Sequence, residues 1–444
     1  MLLSVFVVSV HTEAAAQQSD FADVPQHHWG YENIKWAAEN GIVQGDGKGS
    51  FHPSASVTEP EFLAMLLRAY QDEIEIPQPG RSEKWYMPYY KAAYDLSWPV
   101  SYRISEDKYT RGQVAVLIAY MTGNETDSTD KAVRYLLEQG LAKGKTSATV
   151  AGFKAADSLT RAEAVTFIKN VKDKHPSLLA ISKNGLTLFD IALGDTEQSV
   201  IDKLGEPDRE DPSENGFTWY IYNKDYAKYA QIGIWNGKAV ALYSNAKGAW
   251  GSVNGIKDGI TADALSGILH LNIDDSELFH DFGLYDKTVY YFDKFDNHTV
   301  DAILQISSLI GSPDTADDLL TKAYERQVLD LTNSFRLKHG VGLLEWDDLA
   351  AETARKHSQD MSERDYFDHT NPDGQSPFDR MTSDGIEYSL AAENIAAGYS
   401  DAFHVYNGWL NSAGHRKNML NGELQRLGVG IYGKNYTQNF YTPR

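Results

Sequence analysis

The first third of the chain contains an internal repeat, and this repeat constrains the fold more than any other feature of the sequence. Three four-residue runs recur about every 50 residues, namely Thr58-Glu59-Pro60-Glu61, Thr110-Arg111-Gly112-Gln113 and Thr160-Arg161-Ala162-Glu163. Apolar residues at helical spacing follow each run. Each run is therefore predicted to be a capping box, in which Thr caps a helix and Glu or Gln reaches back to the Thr amide.

Two of the three repeats have arginine at the first helical position, where a positive charge is unfavourable. Arg111 and Arg161 would oppose the helix dipole by about 0.3–1 kcal/mol. An anion shared between the guanidinium and the helix N-terminus would explain them, and helix capping alone is the alternative reading. Glu59 suits the dipole but would repel an anion. We therefore expect at most two anion sites in this region.

The segments around these boxes resemble the S-layer homology (SLH) module. The resemblance rests on Phe21-Ala22-Asp23-Val24-Pro25, His28-Trp29, Gly41-Ile42-Val43-Gln44-Gly45 and Phe51-His52-Pro53. It suggests modules at 21–80, 81–125 and 126–175. In that family three modules pack as a pseudo-threefold helical bundle and bind pyruvylated secondary cell-wall polysaccharide. The resemblance implies that Arg161 and Arg111 bind the wall polymer.

The charge distribution fits such a partner and argues against nucleic acid. The net charge is −21, whereas binding to nucleic acid needs a basic face. Residues 1–175 carry 18 basic against 22 acidic residues, residues 176–313 carry 10 against 20, and residues 314–444 carry 13 against 20. The first third is the least acidic, so we expect it to be the part that meets an anionic polymer.

The N-terminus has the pattern of a signal peptide over residues 1–16. The apolar run from Leu2 to Val10 is too short to span a bilayer, and Ala14-Ala15-Ala16 offers an Ala-x-Ala cleavage site. A basic n-region is missing, because the first Lys or Arg is Lys35. We predict an exported chain that begins near Gln17 and has no transmembrane anchor. Because Arg444 follows a strand without a sorting signal, we expect attachment to be non-covalent.

Residues 186–310 are predicted to form a middle domain of two related α+β halves. Each half begins with a short helix and continues in strands, which are expected at Thr218 to Tyr222, Gln231 to Trp235, Ala239 to Ser244, Thr288 to Phe292 and Val300 to Ile306. Aromatic residues such as Trp219, Tyr220, Tyr290 and Tyr291 alternate in these strands. We interpret them as core and cross-strand pairs, and a ligand platform is the alternative.

Helical periodicity returns in the last 130 or so residues. Leu320, Tyr324, Val328, Leu331 and Phe335 form one apolar stripe on a long helix that should end near His339-Gly340. A second helix follows Asp347-Asp348, and its His357 faces the core side. A third helix contains Trp409. With short strands at 428–431 and 438–441, these elements predict an α/β sandwich.

Three short runs in this region carry the candidate chemistry, namely Asp368-His369-Thr370-Asn371-Pro372, Ala392-Glu393-Asn394-Ile395 and Ser412-Ala413-Gly414-His415-Arg416. Turn residues beside them place His369, Glu393 and His415 in loops, where side chains can converge on a cleft. Two imidazoles and a carboxylate suit a divalent cation such as Zn²⁺, or acid/base work. A structural polar network is the alternative.

Residues 319–444 resemble the bacterial branch of the CAP superfamily, also called SCP or PR-1-like. The motifs are Tyr366-Phe367-Asp368-His369, Glu393-Asn394-Ile395-Ala396, Gly414-His415-Arg416-Lys417-Asn418 and Gly428-Val429-Gly430. Family members carry a cleft with two histidines and one or two glutamates, and in some the histidines bind a divalent metal. The resemblance assigns His369, Glu393 and His415 to that cleft, with His369 and His415 as the metal ligands. A second glutamate would fall near Ser412, which is not acidic. Residues 186–310 resemble the CAP-associated domain.

The sequence thus predicts a multidomain α+β protein: an N-terminal α-helical SLH bundle, a duplicated α+β middle domain and a C-terminal α/β/α sandwich of CAP type. We expect it to be secreted, to sit at the cell wall or S-layer surface, and to present a CAP domain to an unknown envelope or extracellular ligand. The alternative is a metal-assisted hydrolase, either a protease or a wall-modifying enzyme, with His369, Glu393 and His415 as catalytic residues. The sequence has no His-Glu-x-x-His or Gly-x-Ser-x-Gly motif, so we favour the non-catalytic reading.

Overall fold

The computed structural model describes residues 20–74, 76, 79, 83–101, 108–181, 184–310 and 318–444. The predicted signal peptide lies outside these residues. The chain divides into two compact units, Met1–Leu178 and Leu179–Arg444. In the described residues the first unit is helical, whereas the second combines helices with three sheets.

The first unit contains α1 (Tyr31–Glu39), α2 (Glu59–Arg68), α3 (Met87–Asp95), α4 (Arg111–Met121), α5 (Thr129–Glu138), α6 (Val150–Phe153) and α7 (Arg161–Lys174). Helices α2, α4 and α7 start directly after Thr58, Thr110 and Thr160, and all three have the predicted capping box. The three Thr amides donate to the Glu or Gln side chain at 2.8, 2.9 and 3.0 Å. The sequence prediction of three capped helices is confirmed.

A closed ring of backbone hydrogen bonds joins the residues just before these caps. The Val57 amide donates to the Leu159 carbonyl at 2.9 Å, the Leu159 amide to the Tyr109 carbonyl at 2.8 Å, and the Tyr109 amide to the Val57 carbonyl at 2.8 Å. All three residues are buried. Buried amides and carbonyls need partners, and here each module supplies the partner of the next. The repeat therefore closes into a pseudo-threefold arrangement.

The middle domain contains β1 (Leu186–Leu188), α8 (Glu197–Leu204), β2 (Arg209–Pro212), β3 (Thr218–Tyr222), a 3-10 turn (Tyr226–Lys228), β4 (Ala230–Trp235), β5 (Lys238–Ser244), β6 (Trp250–Ser252), α9 (Ala262–Leu269), β7 (Leu278–Phe282), β8 (Asp286–Asp293) and β9 (Thr299–Ser307). A seven-stranded antiparallel sheet has the order β2-β3-β4-β5-β9-β8-β7, and β1 pairs with β6. The two predicted halves share this sheet and meet where β5 pairs with β9. Trp219, Tyr290 and Tyr291 are buried, which confirms the core interpretation of the aromatic residues.

The C-terminal domain contains α10 (Asp318–Lys338), β10 (Glu345–Trp346), α11 (Asp348–Glu363), α12 (Pro377–Ser383), β11 (Tyr388–Ala397), α13 (Ala402–Leu410), α14 (Ala413–Met419), β12 (Arg426–Tyr432) and β13 (Asn435–Pro443). Its sheet has the order β10-β12-β13-β11. Helix α11 packs so closely on β12 that a Cβ at Gly428 would lie 2.1 Å from the Ala351 nitrogen, and one at Gly430 would lie 1.9 Å from the Arg355 nitrogen. Only glycine permits this approach. The arrangement is the predicted α/β/α sandwich.

Buried charge pairs fasten the middle domain to helix α10 of the C-terminal domain. Asp330 is 1% exposed. It accepts hydrogen bonds from Arg209 at 2.8 Å, Asn223 at 2.9 Å and Tyr226 at 2.7 Å. Lys338, the last residue of the same helix, forms a second link, because its ammonium donates to Asp301 at 3.1 Å. A buried charge is tolerated only when it is paired and hydrogen-bonded, so these contacts require the two domains to dock.

We expect Asp330→Asn to lower the free energy of unfolding of the second unit by about 2–3 kcal/mol, because the Arg209 guanidinium would lose a buried anionic partner. Hydrogen exchange of the α10 amides in the full chain would measure this loss. Asp318→Asn is the matched control on the same helix. Asp318 is exposed in the first turn, so its effect should stay below about 1 kcal/mol. Equal effects of the two variants would contradict the docking role of Asp330.

Candidate functional site

A buried carboxylate lies at the centre of the C-terminal site. Glu393 on β11 is 7% exposed. Its Oε1 lies 2.8 Å from Nδ1 of His369, and its Oε2 accepts from the Arg380 guanidinium at 2.7 Å. The Nε2 of His357 is 4.0 Å from Oε1. Each carboxylate oxygen thus has a partner, which is the condition for burying such a charge.

The three predicted residues stand on three different kinds of element. His369 lies between α11 and α12, Glu393 is in β11, and His415 is in α14. The prediction that all three lie in loops is therefore wrong for Glu393 and His415. Glu393 pairs with Asn439 across the sheet, and this long-range pairing overrides the turn propensity of the neighbouring asparagine.

Asn394 fixes the position of the helix that carries His415. Its buried side chain donates to the His415 carbonyl at 3.2 Å and to the Gln438 side chain at 3.0 Å, and it accepts from Asn418 at 2.8 Å. These bonds tie α14 to β11 directly beside Glu393. The Glu393-Asn394 pair therefore supplies one residue of the site and one residue that positions the site.

Sequence reasoning missed Arg380. Its Nη1 donates to the carbonyls of His369 at 2.8 Å and Gln375 at 3.0 Å, while Nη2 holds Glu393. It is in α12, which starts with a capping box at Ser376. The capping box indicates a helix from the sequence alone. No residue near Arg380 in the sequence indicates that its side chain points toward Glu393.

His357 is buried, as its place on the apolar face of α11 predicted. It is nevertheless close to Glu393, so it belongs to the surroundings of the site. Burial lowers the pKa of His357. It therefore adds a neutral ring rather than a third cation around the carboxylate.

In the first unit, the residue at the first position of each capped helix reaches into the next module. Glu59 accepts from the Tyr90 hydroxyl at 2.8 Å, the Arg111 Nε donates to the Phe153 carbonyl at 2.9 Å, and the Arg161 Nε donates to the Phe51 carbonyl at 2.9 Å. These inter-module bonds offset the unfavourable helix-dipole term of the arginines.

The two predicted polymer-binding arginines differ in their surroundings. Arg111 is 4% exposed and forms an ion pair with Glu163 at 2.8 Å. Arg161 also donates to the Gln44 carbonyl at 3.0 Å and stacks on Phe51. Burial lowers the pKa of both guanidinium groups. Their polymer-binding roles stay predictions.

A cavity of about 660 Å³ opens beside Arg111. Its lining includes Trp29, Asn33, Arg111, Lys143, Lys145 and Glu163. Three of these side chains are cationic and one is anionic, and Trp29 is 64% exposed. Arg161 is not one of the described lining residues. The cavity thus combines excess positive charge with an exposed aromatic face.

Comparison with known proteins identifies the domains. A family model described as "CAP: Cysteine-rich secretory protein family" matches residues 329–442, "CAP-associated N-terminal" matches 193–276 and "S-layer homology domain" matches 20–63. The "uncharacterized membrane protein YlbC" of Bacillus subtilis is 32% identical over 311 residues, which is 62% of this chain and 88% of that protein. This chain belongs to the CAP family.

A solved structure supports the assignment. An extracellular SCP-domain protein from Bacillus anthracis is similar with a TM-score of 0.51 at 31% identity, over 56% of this chain and 93% of that chain. The site built on Glu393 is thus the site of a CAP domain, and strands β2 to β5 of the seven-stranded sheet lie in the region that the CAP-associated model matches.

The SLH domain places the protein at the cell surface. The "S-layer protein sap" of Bacillus anthracis is 33% identical over 95 residues, covering 20% of this chain and 12% of that protein. In the part of the chain that the structure describes, no helix is long and apolar enough to cross a membrane. The SLH and CAP matches together identify a surface-associated extracellular protein with a CAP domain.

The two cleft histidines of the CAP domain have pKa values shifted in opposite directions. The hydrogen bond to Glu393 raises the pKa of His369, whereas burial and the nearby charge of His369 lower the pKa of His415. At the same pH, His369 therefore holds its proton more tightly than His415 does. One ring can donate a proton while the other accepts one.

The residues of the cleft do not match a zinc site. Among the described residues, no group of three His, Asp or Glu side chains is placed to hold a metal ion. Both oxygens of the Glu393 carboxylate are already engaged, one with the His369 ring and one with the Arg380 guanidinium. Catalytic zinc sites use three protein ligands and a water, and only two imidazoles remain here. Zinc binding by His369 and His415 stays a prediction, and no step of the proposed function depends on it.

We predict that the His369 ring titrates above pH 6.5 and the His415 ring below it in NMR spectra of the full chain. Because the folded-state pKa of His369 is raised, its stabilising contribution is complete below the unfolded-state pKa and is lost as the pH rises through the folded-state value. The folded-state pKa of His415 is lowered, so its contribution to stability is complete above the unfolded-state pKa. That contribution is lost as the pH falls through the folded-state value.

Glu393→Gln tests the cause of the shift, because the neutral amide no longer favours the protonated ring. In this variant the His369 midpoint should fall towards 6.5, and unchanged backbone amide signals away from the cleft serve as the reference for the fold. An unchanged His369 midpoint would contradict the assigned ion pair.

Proposed function

We propose that the SLH unit binds an anionic, pyruvylated secondary cell-wall polysaccharide non-covalently and that the protein thereby presents its CAP cleft to an extracellular ligand. The observation that carries the first part is the cavity beside Arg111. The CAP part is argued from the way in which Glu393 is held.

The chemistry of the cavity beside Arg111 suits an acidic sugar. Arg111, Lys143 and Lys145 outnumber Glu163 in the lining, so a carboxylate would be drawn to it. The Arg111 Nε already donates to the Phe153 carbonyl, and its Nη1 donates to the Glu163 carboxylate. Lys145 pairs with Asp157 at 2.7 Å, so the exposed Lys143 ammonium is the first contact for the polymer. The face of Trp29 offers apolar area to a sugar ring.

Binding without turnover is the function that the CAP cleft supports best. A carboxylate can act as a general base or nucleophile only if it can reach the substrate. Glu393 is buried and engaged by Arg380 and His369, so it orients His369 instead. His369 remains half-exposed and can donate to a ligand. We propose that the ligand is a peptide, lipid or envelope component outside the cell.

Co-sedimentation of the full chain with purified cell walls tests the wall-binding part. Lys143→Gln combined with Lys145→Gln should weaken retention about tenfold and reduce its salt dependence, because two exposed cations are removed from the cavity. Lys131→Gln, an exposed lysine on α5 of the same unit, is the control and should leave retention unchanged.

Walls stripped of their secondary polymer should retain none of these proteins. Retention of the double lysine variant at the level of the control would refute the cavity as the polymer site. Retention that survives Arg111→Ala plus Arg161→Ala in a folded chain would refute the arginine sites.

Activity assays separate the binder from the hydrolase. Incubation of the wild-type chain with peptidoglycan fragments and with casein should give no turnover. Cleavage of either substrate by the wild type that disappears in His415→Ala would establish the hydrolase instead. Circular dichroism of the variant excludes loss of fold as the reason.

A further inference from the structure

The turn between β8 and β9 of the middle domain contacts the junction between α13 and α14 of the CAP domain. This junction carries His415, one of the two cleft histidines. Groups of residues 292–294 bind Asn411 and Arg416, which lie on either side of His415 in the sequence. A second domain therefore holds the helix that presents a cleft residue.

Asp293 is the charged part of this contact, and it is 2% exposed. Its Oδ1 accepts from Nη1 of Arg416 at 3.0 Å, and its Oδ2 lies 2.9 Å from Nη2 of the same guanidinium. Oδ1 also accepts from the amides of Phe295 at 2.9 Å and Asp296 at 3.2 Å. The bidentate pair fixes the direction of the arginine as well as its distance. One buried carboxylate thus shapes the turn and pairs with α14.

Asn411 is the neutral part of the contact and follows the last residue of α13. Its side-chain nitrogen donates to the Phe292 carbonyl at 2.7 Å, and its oxygen accepts from the Lys294 amide at 2.9 Å. The side chain therefore bonds to the backbone on both sides of Asp293. The end of β8 obtains hydrogen-bond partners from the CAP domain in this way.

The His415 ring depends on these contacts because it has no anchor of its own. Among the described residues its side chain forms no hydrogen bond, whereas the His369 ring lies 2.8 Å from Glu393. The ring of His415 therefore lies where α14 carries it. Helix α14 has only seven residues, and a helix of this length is not stable without tertiary contacts. Asn394 holds it on the β11 side, and the turn of the middle domain holds it on the other.

We propose that Asp293, acting through Arg416 and together with Asn411, is a positioning residue of the CAP cleft. It sets the place of the His415 ring relative to the His369 ring, so the middle domain is a working part of the cleft. The functional meaning of this inference rests on the proposed ligand binding by the cleft. The position of the ring can be measured without any ligand.

NMR spectra of the histidine rings in the full chain test the proposal. Asp293→Asn keeps an oxygen that can accept from the turn amides but no longer carries the charge that holds Arg416. We expect the α14 amides to exchange about tenfold faster, because a buried charge pair is lost. The His415 ring signals should shift, whereas the His369 ring signals should change much less, because Glu393 holds that ring independently.

Asn411→Ala separates the effect of position from the effect of charge. It removes both bonds to the β8 backbone without changing the net charge, so a shift of the His415 ring signals in this variant reports movement of the ring. We expect that shift, with α14 exchange about five- to tenfold faster. Asp296→Asn removes an exposed carboxylate from the same turn. It is the matched control and should leave the His415 signals and α14 exchange unchanged.

Arg416→Lys covers the case in which the Asp293 variant does not fold. It keeps the charge but not the two-pronged donor, and it should shift the His415 signals in the same direction by a smaller amount. The proposal is overturned if these signals stay in place in both Asp293→Asn and Asn411→Ala, or if the control moves them as far. Equal shifts of the His369 and His415 signals would indicate general loosening of the domain and would also overturn it. If His415 shifts as expected but the cleft binds no ligand, the positioning role stands and the proposed binding function fails.

Discussion

The buried carboxylate of Glu393 is the constraint around which the CAP domain is organised. An unpaired charge at this depth would cost several kcal/mol, so the strand can bury Glu393 only if Arg380 and His369 reach it. This requirement fixes α12 and the loop that carries His369 with respect to β11. The same ion pairing raises the pKa of His369. It also leaves Glu393 unable to act as a free base, because both of its oxygens are engaged. Stability and function of the cleft therefore follow from one ion pair.

The SLH unit meets a similar requirement with backbone groups. Val57, Tyr109 and Leu159 satisfy one another's amides and carbonyls in a ring, so none of the modules is complete alone. The first helical residues continue this exchange, because each bonds to the next module. Arg111 thus has a structural function before it has any ligand. Its bonds to Phe153 and Glu163 of the next module explain an arginine at a position where the helix dipole disfavours it.

Charge burial also joins the CAP-associated domain to the CAP domain. Asp330 on α10 accepts from Arg209, Asn223 and Tyr226, and Arg416 next to His415 pairs with Asp293 at 2.9 Å. The second link reaches the helix that carries a cleft residue. The CAP-associated domain has no assigned chemistry. Its contacts with Asp330 on α10 and Arg416 on α14 help to hold these two helices of the CAP domain in place.

Local patterns in the sequence determined the capped helices at Thr58, Thr110 and Thr160, the strands β3, β4, β5, β8 and β9 of the middle domain, the long helix α10 and the identity of three cleft residues. These depend on hydrogen bonds and periodicities within a few residues. Tertiary structure alone decided that Glu393 lies in a strand, that Arg380 points inward and that Asp330 is a docking residue. An Ala-rich segment such as β11 has little strand propensity of its own, and the partners of Glu393 and Asp330 are distant in sequence. Buried charges pair with residues that are distant in the sequence, so a pattern within a few residues cannot predict the pairing.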